Sequence, residues 1–391
     1  MTRRSKRNIW IVAVLLLVVI AITAWANLWR EKPQPQWITA DKRDNFLYGS
    51  VGGERDAGIP YWIWLALPRM FPEYMPGNGG YLSVGLSWEE GKEMPAGFSK
   101  KTVGYVRVAG NCAICHAASY RSGPDEGPEV VPVVPGRSSD VQALLTFFQQ
   151  CAQDPRFNST EIMTEINSAT NLTWFDSLLY RYVLIPRTRR QLLSETDVVL
   201  DSVLRSHSRD PRSDAPFSEP RFRELVLWVK SSQVPQYPLE WNQAQVQKGK
   251  GLFDQHCGSC HAKGGKRQGT EIPIAEIGTD RLLASKLKLN GYVAQTLDGV
   301  WMRGPYLHNG SVPSVGELMK PPAQRAVTFY RGNNLLNRQD LGFVSDLAQE
   351  KGLHFALFDT RQTGNSNAGH QYGTELSDQD KKAILEYLKT P

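Results

Sequence analysis

The sequence has 391 residues, which is enough for two or three domains with a sizeable hydrophobic core. Its formal net charge of +6 suggests a basic protein, but Arg3, Arg4, Lys6 and Arg7 supply much of that charge at the N-terminus. The remainder is only mildly positive, so composition indicates no nucleic-acid partner.

An apolar run, residues 9–28, follows the basic cluster. About twenty apolar residues suffice to cross a bilayer, and the preceding basic residues are expected to stay cytoplasmic. A cleaved signal peptide is the alternative, because Ala24-Trp25-Ala26 has the form of a cleavage site. Tryptophans at both ends of the run favour an uncleaved inner-membrane anchor over residues 1–29, with the rest of the chain in the periplasm.

Residues 30–44 are polar and contain Pro33 and Pro35, which predicts a tether between the anchor and the body of the protein. Residues 45–105 are rich in Gly, Pro and aromatic residues and show weak periodicity. This composition predicts loops and short helices. Residues 45–105 are the first part of an N-terminal domain that is expected to span residues 45–230.

Two segments share the pattern CxxCH: Cys112, Cys115 and His116 in the first, and Cys257, Cys260 and His261 in the second. Two cysteines at this spacing can bond to the two vinyl groups of one haem, and the next histidine can ligate the iron. The sequence therefore predicts two covalently bound haem c groups, with His116 and His261 as proximal ligands.

The cysteine pairs have two other possible interpretations, a structural zinc site and a redox-active pair. A structural zinc site groups its four ligands within a few tens of residues, whereas Cys115 and Cys257 lie much further apart. A thioredoxin-like redox pair needs no following histidine and expects a strand-to-helix setting. The repeated histidine favours haem over both.

Helical patterns follow the first motif near residues 139–152, 159–168, 172–184, 186–206 and 222–229. Ser139 is a candidate N-cap, and Cys151 falls on the apolar face and is expected in the core. The run Arg187, Arg189 and Arg190 is interpreted as a solvated face, with a haem propionate as the alternative partner. Residues 231–241, which contain two prolines, are the predicted linker between domains.

The second domain is expected to span residues 242–391. Its first helix leads into Cys257 and places Gly249 and Phe253 on one face. Its last helix begins after Ser377, with Asp380 completing a capping box, and carries an apolar face. The two helices are expected to pack together. The predicted fold class is therefore mainly α, with two cytochrome c-like haem domains and long loops after an N-terminal transmembrane helix.

Residues 303–311 resemble a signature in the second domain of di-haem cytochrome c peroxidases and their relatives. The signature residues are Tyr306, His308 and Gly310, with His308 expected to order the loop between two haems. Further segments resemble the branch that includes latex-cleaving rubber oxygenases: residues 48–50, 58–64, 111–112, 184–189, 276–280 and 364–373. The resemblance covers most of the chain beyond residue 44.

The resemblance implies that one haem takes electrons while the other meets peroxide or dioxygen. By analogy, the His261 haem is six-coordinate and receives electrons, and the His116 haem is reactive. The expected function is that of a membrane-anchored, peroxidase-like oxidoreductase. Its electron donor is expected to be a cytochrome, a cupredoxin or a quinol-linked complex. The alternatives are a non-catalytic electron carrier or respiratory-complex subunit, and a haem dioxygenase.

The sixth ligand of the C-terminal haem is left open by the sequence. In the peroxidases it is a methionine at a position that Pro322 occupies here. His370, in a segment that resembles one with a distal histidine in the rubber-oxygenase branch, is preferred, and Met319 and Met302 are the alternatives.

The candidates for acid/base groups and for a ring between the haems are chosen from their order in the sequence. Glu161 and Glu165 are the candidates for proton transfer to peroxide, with exposed helix carboxylates as the competing interpretation. Trp174, Trp228 and Trp301 are candidates for an aromatic ring between the haems, with core packing as the default.

Overall fold

The computed structural model describes residues 3–28, 30–134, 139–194 and 223–390. The chain mixes helix and sheet, at 44% helical and 14% strand, so the prediction of a mainly α fold is wrong. The strands were missed because they are only two to six residues long and, as in Phe98–Val103, carry no strict alternation of buried and exposed residues.

The helices that precede residue 232 are α1 (Arg3–Leu28), α2 (Gln36–Ala40), α3 (Lys42–Tyr48), α4 (Tyr61–Met70), α5 (Ala113–His116), α6 (Val141–Gln153), α7 (Ser159–Ala169), α8 (Trp174–Leu179), α9 (residues 185–194) and α10 (Arg223–Ser231). The later helices are α11 (Gln243–His256), α12 (Gly258–His261), α13 (Ile274–Ile277), α14 (Leu282–Leu287), α15 (Val315–Leu318) and α16 (Asp378–Leu388). Short 3₁₀ turns occupy Pro72–Tyr74, Gly80–Val84, Val300–Met302 and Pro322–Gln324, and a π-helical turn, Tyr180–Leu184, joins α8 to α9.

The strands are β1 (Ile59–Pro60), β2 (Phe98–Val103), β3 (Tyr105–Gly110), β4 (Ala117–Tyr120), β5 (Glu129–Pro132), β6 (Glu271–Pro273), β7 (Gly291–Val293), β8 (Thr328–Arg331), β9 (Gln349–Glu350), β10 (Leu353–His354) and β11 (Ala356–Asp359). They form one three-stranded antiparallel sheet in the order β1-β3-β2 and four two-stranded ones. All the pairings are antiparallel.

The structure also corrects the predicted N-terminal transmembrane helix. Within the described ranges, no helix is both long enough and apolar enough to cross a membrane.

The N-terminal domain is built on the β1-β3-β2 sheet and on a core around Trp64. The Trp64 and Tyr81 rings stack with centroids 4.1 Å apart, and Tyr81 donates to the Trp64 carbonyl oxygen at 2.7 Å. Residues 30–44, predicted to be a tether, lie on this domain instead. They contain α2, the side chain of Ile38 is buried, and the Lys32 amide donates to the Thr102 carbonyl.

The helices after residue 139 follow the apolar periodicity of the sequence. Asp140, not the predicted Ser139, caps α6, because its carboxylate accepts from the Ala143 amide at 2.9 Å. Cys151 is fully buried, as predicted. Residues 195–222, which include part of two predicted helices and His207, lie outside the described residues.

The C-terminal domain is closed by contact between its first and last helices, as the sequence predicts. Gly249 of α11 meets the backbone of Ala383 in α16, and the Phe253 ring lies 5.1 Å from that of Tyr387. The Ser377 hydroxyl caps α16 by accepting from the Asp380 amide at 3.2 Å. This helix pair sets the direction in which the chain enters the second CxxCH motif.

The two domains share a buried interface beside the first motif. Trp301 packs edge-on against Tyr120 of β4 and against Tyr237, with ring centroids 5.0 and 5.5 Å apart. Close by, the Arg121 guanidinium donates to Asn333 and Asn334 and pairs with Glu350. Strand β4, which follows α5 directly, is thereby fixed against the C-terminal domain.

Candidate functional site

Both CxxCH motifs line one cavity of ≈ 380 Å³. Cys115 and His116 reach it from α5, and Cys257, Cys260 and His261 reach it from the α11–α12 corner. The remaining wall is largely apolar and aromatic, with a few polar side chains that include His308 and His370. The fold therefore brings the two motifs to a common space.

The second motif forms a tight corner. Helix α11 ends at His256, and α12 continues the chain from Gly258 to His261. The Nδ1 atom of His261 lies 2.7 Å from the carbonyl oxygen of Gln295. Since a carbonyl can only accept, Nδ1 carries the proton and Nε2 is left free as a metal ligand. Burial lowers the pKa of His261, which favours the neutral imidazole that ligation needs.

His370 lies opposite His261 on a loop with constrained backbone. The ring centroids of the two histidines are 6.2 Å apart. His370 has a φ of +47°, and its amide donates to the Ile277 carbonyl at 2.7 Å. Burial, with a smaller contribution from His261, lowers the pKa of His370 to about 4. Both imidazoles are therefore neutral at pH 7.

The spacing of these rings fits a shared metal ion. A metal–imidazole bond of about 2 Å, plus about 1 Å from the nitrogen to the ring centre, separates two ring centres by about 6 Å across one ion. His261 and His370 have this separation. The Nδ1 atom of His370 is buried and has no hydrogen-bond partner, and the ring packs edge-on against Tyr372 with centroids 5.2 Å apart.

The first motif is held in place by Asn111. From the sequence, this residue is identified only as part of a segment that resembles the rubber-oxygenase branch, and it is assigned no role. Its side chain accepts from the Ala113 amide at 2.9 Å and donates to the carbonyls of Leu47 and Gly49 at 3.2 and 3.0 Å. This bonding fixes the start of α5 against α3. The helix then places His116 at the cavity wall, and the His116 amide donates to the Cys112 carbonyl oxygen.

The motif cysteines have the character of buried thiols. Burial raises the pKa of Cys115 to about 12 and that of Cys257 to about 11. Zinc binding and thiol–disulfide exchange both use the thiolate. In the described part of the chain, no three His, Cys, Asp or Glu side chains form a cluster that could hold a metal ion. These findings argue against the zinc and thioredoxin-like interpretations.

The two methionine candidates for the sixth ligand differ in position. Met319 lines the cavity, whereas Met302 is fully buried in the adjoining core and is not part of the cavity wall. Glu161 is exposed on α7, and Glu165 pairs with Arg69 at 2.5 Å. Neither carboxylate lines the cavity.

The signature residues form a tight loop beside the cavity. The Tyr306 hydroxyl donates to the Val300 carbonyl at 2.7 Å, and Gly310 has a φ of +65°. The His308 ring lines the cavity and stacks on Tyr292, with centroids 4.7 Å apart.

The three tryptophans that are candidates for a ring between the haems lie in different parts of the structure. Trp174 is 76% exposed, so it lies away from the core. Trp228 packs against Phe46, in the cluster that includes Cys112. Trp301 lies between Tyr120 and Tyr237 at the domain interface.

The arginine run on α9 includes Arg189, which donates to the Ala152 carbonyl at 2.9 Å.

Two contributors to this site were not identified from the sequence. Gln295 acts through its backbone carbonyl on His261, and Arg325 donates to backbone carbonyls of the His370 loop. A backbone carbonyl is present at every position, so no residue-type signal marks Gln295. An arginine that follows two prolines, as Arg325 does after Pro321 and Pro322, looks from its sequence like an exposed loop residue.

Comparison with known proteins finds a similarity in the C-terminal part of this site. A family model described as RoxA-like, cytochrome c-like, matches residues 291–330, which contain the signature loop. The match implies covalently bound haem c and supports the rubber-oxygenase-like branch of cytochromes. The resemblance to di-haem peroxidases stays a prediction.

Two similar proteins come from Sinorhizobium fredii (strain NBRC 101917 / NGR234). The chain is 41% identical over 108 residues to the uncharacterized protein y4iJ, covering 25% of this chain and 17% of that protein. It is 26% identical over 225 residues to the uncharacterized protein y4iM, covering 39% of this chain and 50% of that protein. The chain thus spans no more than half the length of either relative.

Proposed function

We propose that the protein is a di-haem c-type cytochrome that acts as a peroxidase-like oxidoreductase in the periplasm. It takes up electrons at the second CxxCH motif and reduces peroxide at the first. The observation that carries the proposal is the 6.2 Å spacing of the His261 and His370 rings, inside a cavity that His116 also lines.

The roles of the two motifs follow from their surroundings. His261 and His370 would together hold the iron of one haem. His116 would hold the iron of the other haem, which is the proposed site of peroxide reduction. A bound haem c supplies reversible one-electron chemistry. Two electrons and two protons convert one hydrogen peroxide to two waters.

The adjacency of the motifs supports electron transfer between them. Both reach the same cavity, and Trp301 lies in the interface that joins β4 to the C-terminal domain. An external donor is required to supply the electrons. A small cytochrome, a cupredoxin or a quinol-linked complex is the proposed class of donor.

A haem dioxygenase is the second candidate. The RoxA-like match favours it, because that match supports the rubber-oxygenase-like branch of cytochromes. The matched residues, 291–330, contain neither CxxCH motif, so the match does not distinguish peroxide from dioxygen as the oxidant at His116. For this reason peroxide reduction is retained as the main proposal.

The first test is the mass of the protein made in cells that carry out cytochrome c maturation. Wild type should carry two covalent haems, and the double variants C112A/C115A and C257A/C260A should each carry one. Two haems on both double variants, or none on wild type, would overturn the proposal.

The second test is spectroscopy with turnover. We expect one low-spin haem, lost in C257A/C260A, and one haem that is high-spin in the oxidised or half-reduced protein. Peroxide should oxidise a reduced donor cytochrome with wild type but not with C112A/C115A. Two low-spin haems inert to peroxide in both states would identify a carrier. A stable dioxygen-bound haem with cleavage of a polyisoprenoid would identify the dioxygenase.

A further inference from the structure

We propose that Arg325 is a positioning residue that holds His370 in place as an axial ligand. The inference rests on the proposed function, in which His370 faces His261 across one iron. Arg325 acts through the backbone of the loop that carries His370, because its guanidinium donates to the carbonyl oxygens of Gly369 and His370.

The Arg325 guanidinium is enclosed by backbone carbonyls. It donates to the carbonyl oxygens of Lys320 (3.0 Å, from Nε), Asn367 (2.5 Å) and Gly369 (2.8 Å, both from Nη1), and Leu318 (2.9 Å) and His370 (3.1 Å, both from Nη2). A guanidinium has five N–H groups, so every one of them has a partner. Two partners lie at the end of α15, and three lie on the His370 loop.

The side chain is only 3% exposed, and none of the described ion pairs involves it. A buried cation is costly unless its donors are satisfied, so these carbonyls must stay in place for the arginine to remain buried. The requirement is mutual. The loop at residues 367–370 and the segment at residues 318–320 are tied to the same rigid planar group.

The backbone of the loop needs such support. Gly369 and His370 have φ values of +85° and +47°, in the left-handed region that a non-glycine residue adopts only when its surroundings enforce it. A Cβ on Gly369 would come 2.5 Å from the backbone of Gly278 and Thr279, so the loop lies tightly against that turn.

The His370 ring packs edge-on against Tyr372, with ring centroids 5.2 Å apart. Its Nδ1 is buried without a hydrogen-bond partner, whereas His261 is oriented by the Gln295 carbonyl. The backbone that carries the His370 ring is held by the Ile277 carbonyl on one side and by Arg325 on the other. Loss of the guanidinium removes three of the bonds that hold the loop.

The test compares R325K and R325M with H370A in the holoprotein. Lysine keeps the charge but lacks the planar set of donors, and methionine lacks both. We expect both Arg325 variants to keep two covalent haems, to convert part of the C-terminal low-spin signal to high-spin, and to bind added imidazole about tenfold more tightly than wild type. Imidazole should restore the low-spin spectrum.

Arg107 supplies a matched control. It is also buried, and it donates to the carbonyls of Val103, Glu54 and Arg55 in the N-terminal domain. R107K should lower stability and leave the C-terminal haem spectrum and imidazole affinity unchanged. A change equal to that of R325K would show a general effect of destabilisation and overturn the proposal.

The outcomes also separate this inference from the proposed function. If H370A loses the low-spin signal but R325K keeps the wild-type spectrum and imidazole affinity, Arg325 is not a positioning residue and the ligand assignment stands. If H370A itself keeps the wild-type spectrum, His370 is not the ligand, and both fail. If R325M gives no holoprotein, R325K decides by the same criteria.

Discussion

Gly249 in α11 lies in backbone contact with Ala383 in α16. A Cβ on Gly249 would come 1.9 Å from the Ala383 carbonyl oxygen and 3.0 Å from the Cβ of Tyr387. No side chain fits there unless the helices separate. Since α11 leads directly into Cys257, this contact determines where the second CxxCH motif sits relative to the last helix.

Replacement of Gly249 by alanine should therefore destabilise the C-terminal domain. The added methyl group must push α11 from α16, and overpacking of this kind costs about 1–3 kcal/mol. The free energy of unfolding of the holoprotein, measured in urea, reports the loss. G249V should cost more than G249A.

Gly251, two residues further along α11, is the matched control. A Cβ there would meet nothing within 4 Å. Alanine is the better helix former, so G251A should stabilise the protein by about 0.5–1 kcal/mol. Equal effects of G249A and G251A would contradict the close helix contact.

His370→Ala should change the spectrum of one haem without preventing its attachment. Cys257 and Cys260 would still make the covalent bonds and His261 would remain as a ligand, so only the second histidine ligand would be lost. We expect the intact mass to show two haems and the low-spin signal of the C-terminal haem to fall. Added imidazole should restore that signal.

H354A and M319L are the controls for this prediction. His354 is exposed on β10, so its loss should leave both haem spectra unchanged. Met319 lines the same cavity and is the alternative ligand. A spectrum altered by M319L and not by H370A would assign the position to the methionine sulfur.

The helices α6, α7, α11 and α16 could be predicted because apolar residues one turn apart, all within a short segment, indicate a helix. The hairpin of β2 and β3 could not. Its register pairs Phe98 with Gly110, and the intervening residues carry no strict alternation. The composition of residues 45–105 instead predicts loops and short helices, which is wrong for β2.

The residues of the site also differ in whether the sequence alone could reveal them. Covalent haem attachment requires cysteines and histidine next to one another, so the motif residues are visible in the sequence. The pairing of His261 with His370 requires the whole C-terminal domain to fold, and only family resemblance pointed to it. Arg325 and Gln295 act on backbone atoms, which leave no pattern in side-chain type.

Glu89 gives the N-terminal domain a pH dependence. Arg43 and Tyr48 each donate to its carboxylate at 2.5 Å. Burial alone would raise the pKa of Glu89, but the two hydrogen bonds and the Arg43 charge outweigh it and hold that pKa below its ordinary value. The folded state thus favours the ionised form. The stabilisation is complete at neutral pH and is lost as pH falls through the ordinary value toward the lower folded one.

E89Q should cost about 1 kcal/mol at pH 7. Its unfolding free energy should also fall less steeply than that of wild type below about pH 5. Urea titrations at a series of pH values measure both effects. E90Q, at an exposed neighbouring carboxylate, should follow the wild-type curve. A parallel acid profile for E89Q and wild type would rule out this contribution.

Cys151 should prove to be a packing residue with no part in haem attachment. It is fully buried in the core of the N-terminal domain, and burial raises the pKa of its thiol. Truncation to alanine leaves a small cavity, so C151A should lose about 1–2 kcal/mol of stability while the intact mass keeps both haems. The thiol should resist iodoacetamide in the folded protein and react after denaturation. Loss of a haem in C151A, or rapid labelling of the folded wild type, would show that this cysteine is accessible or functional instead.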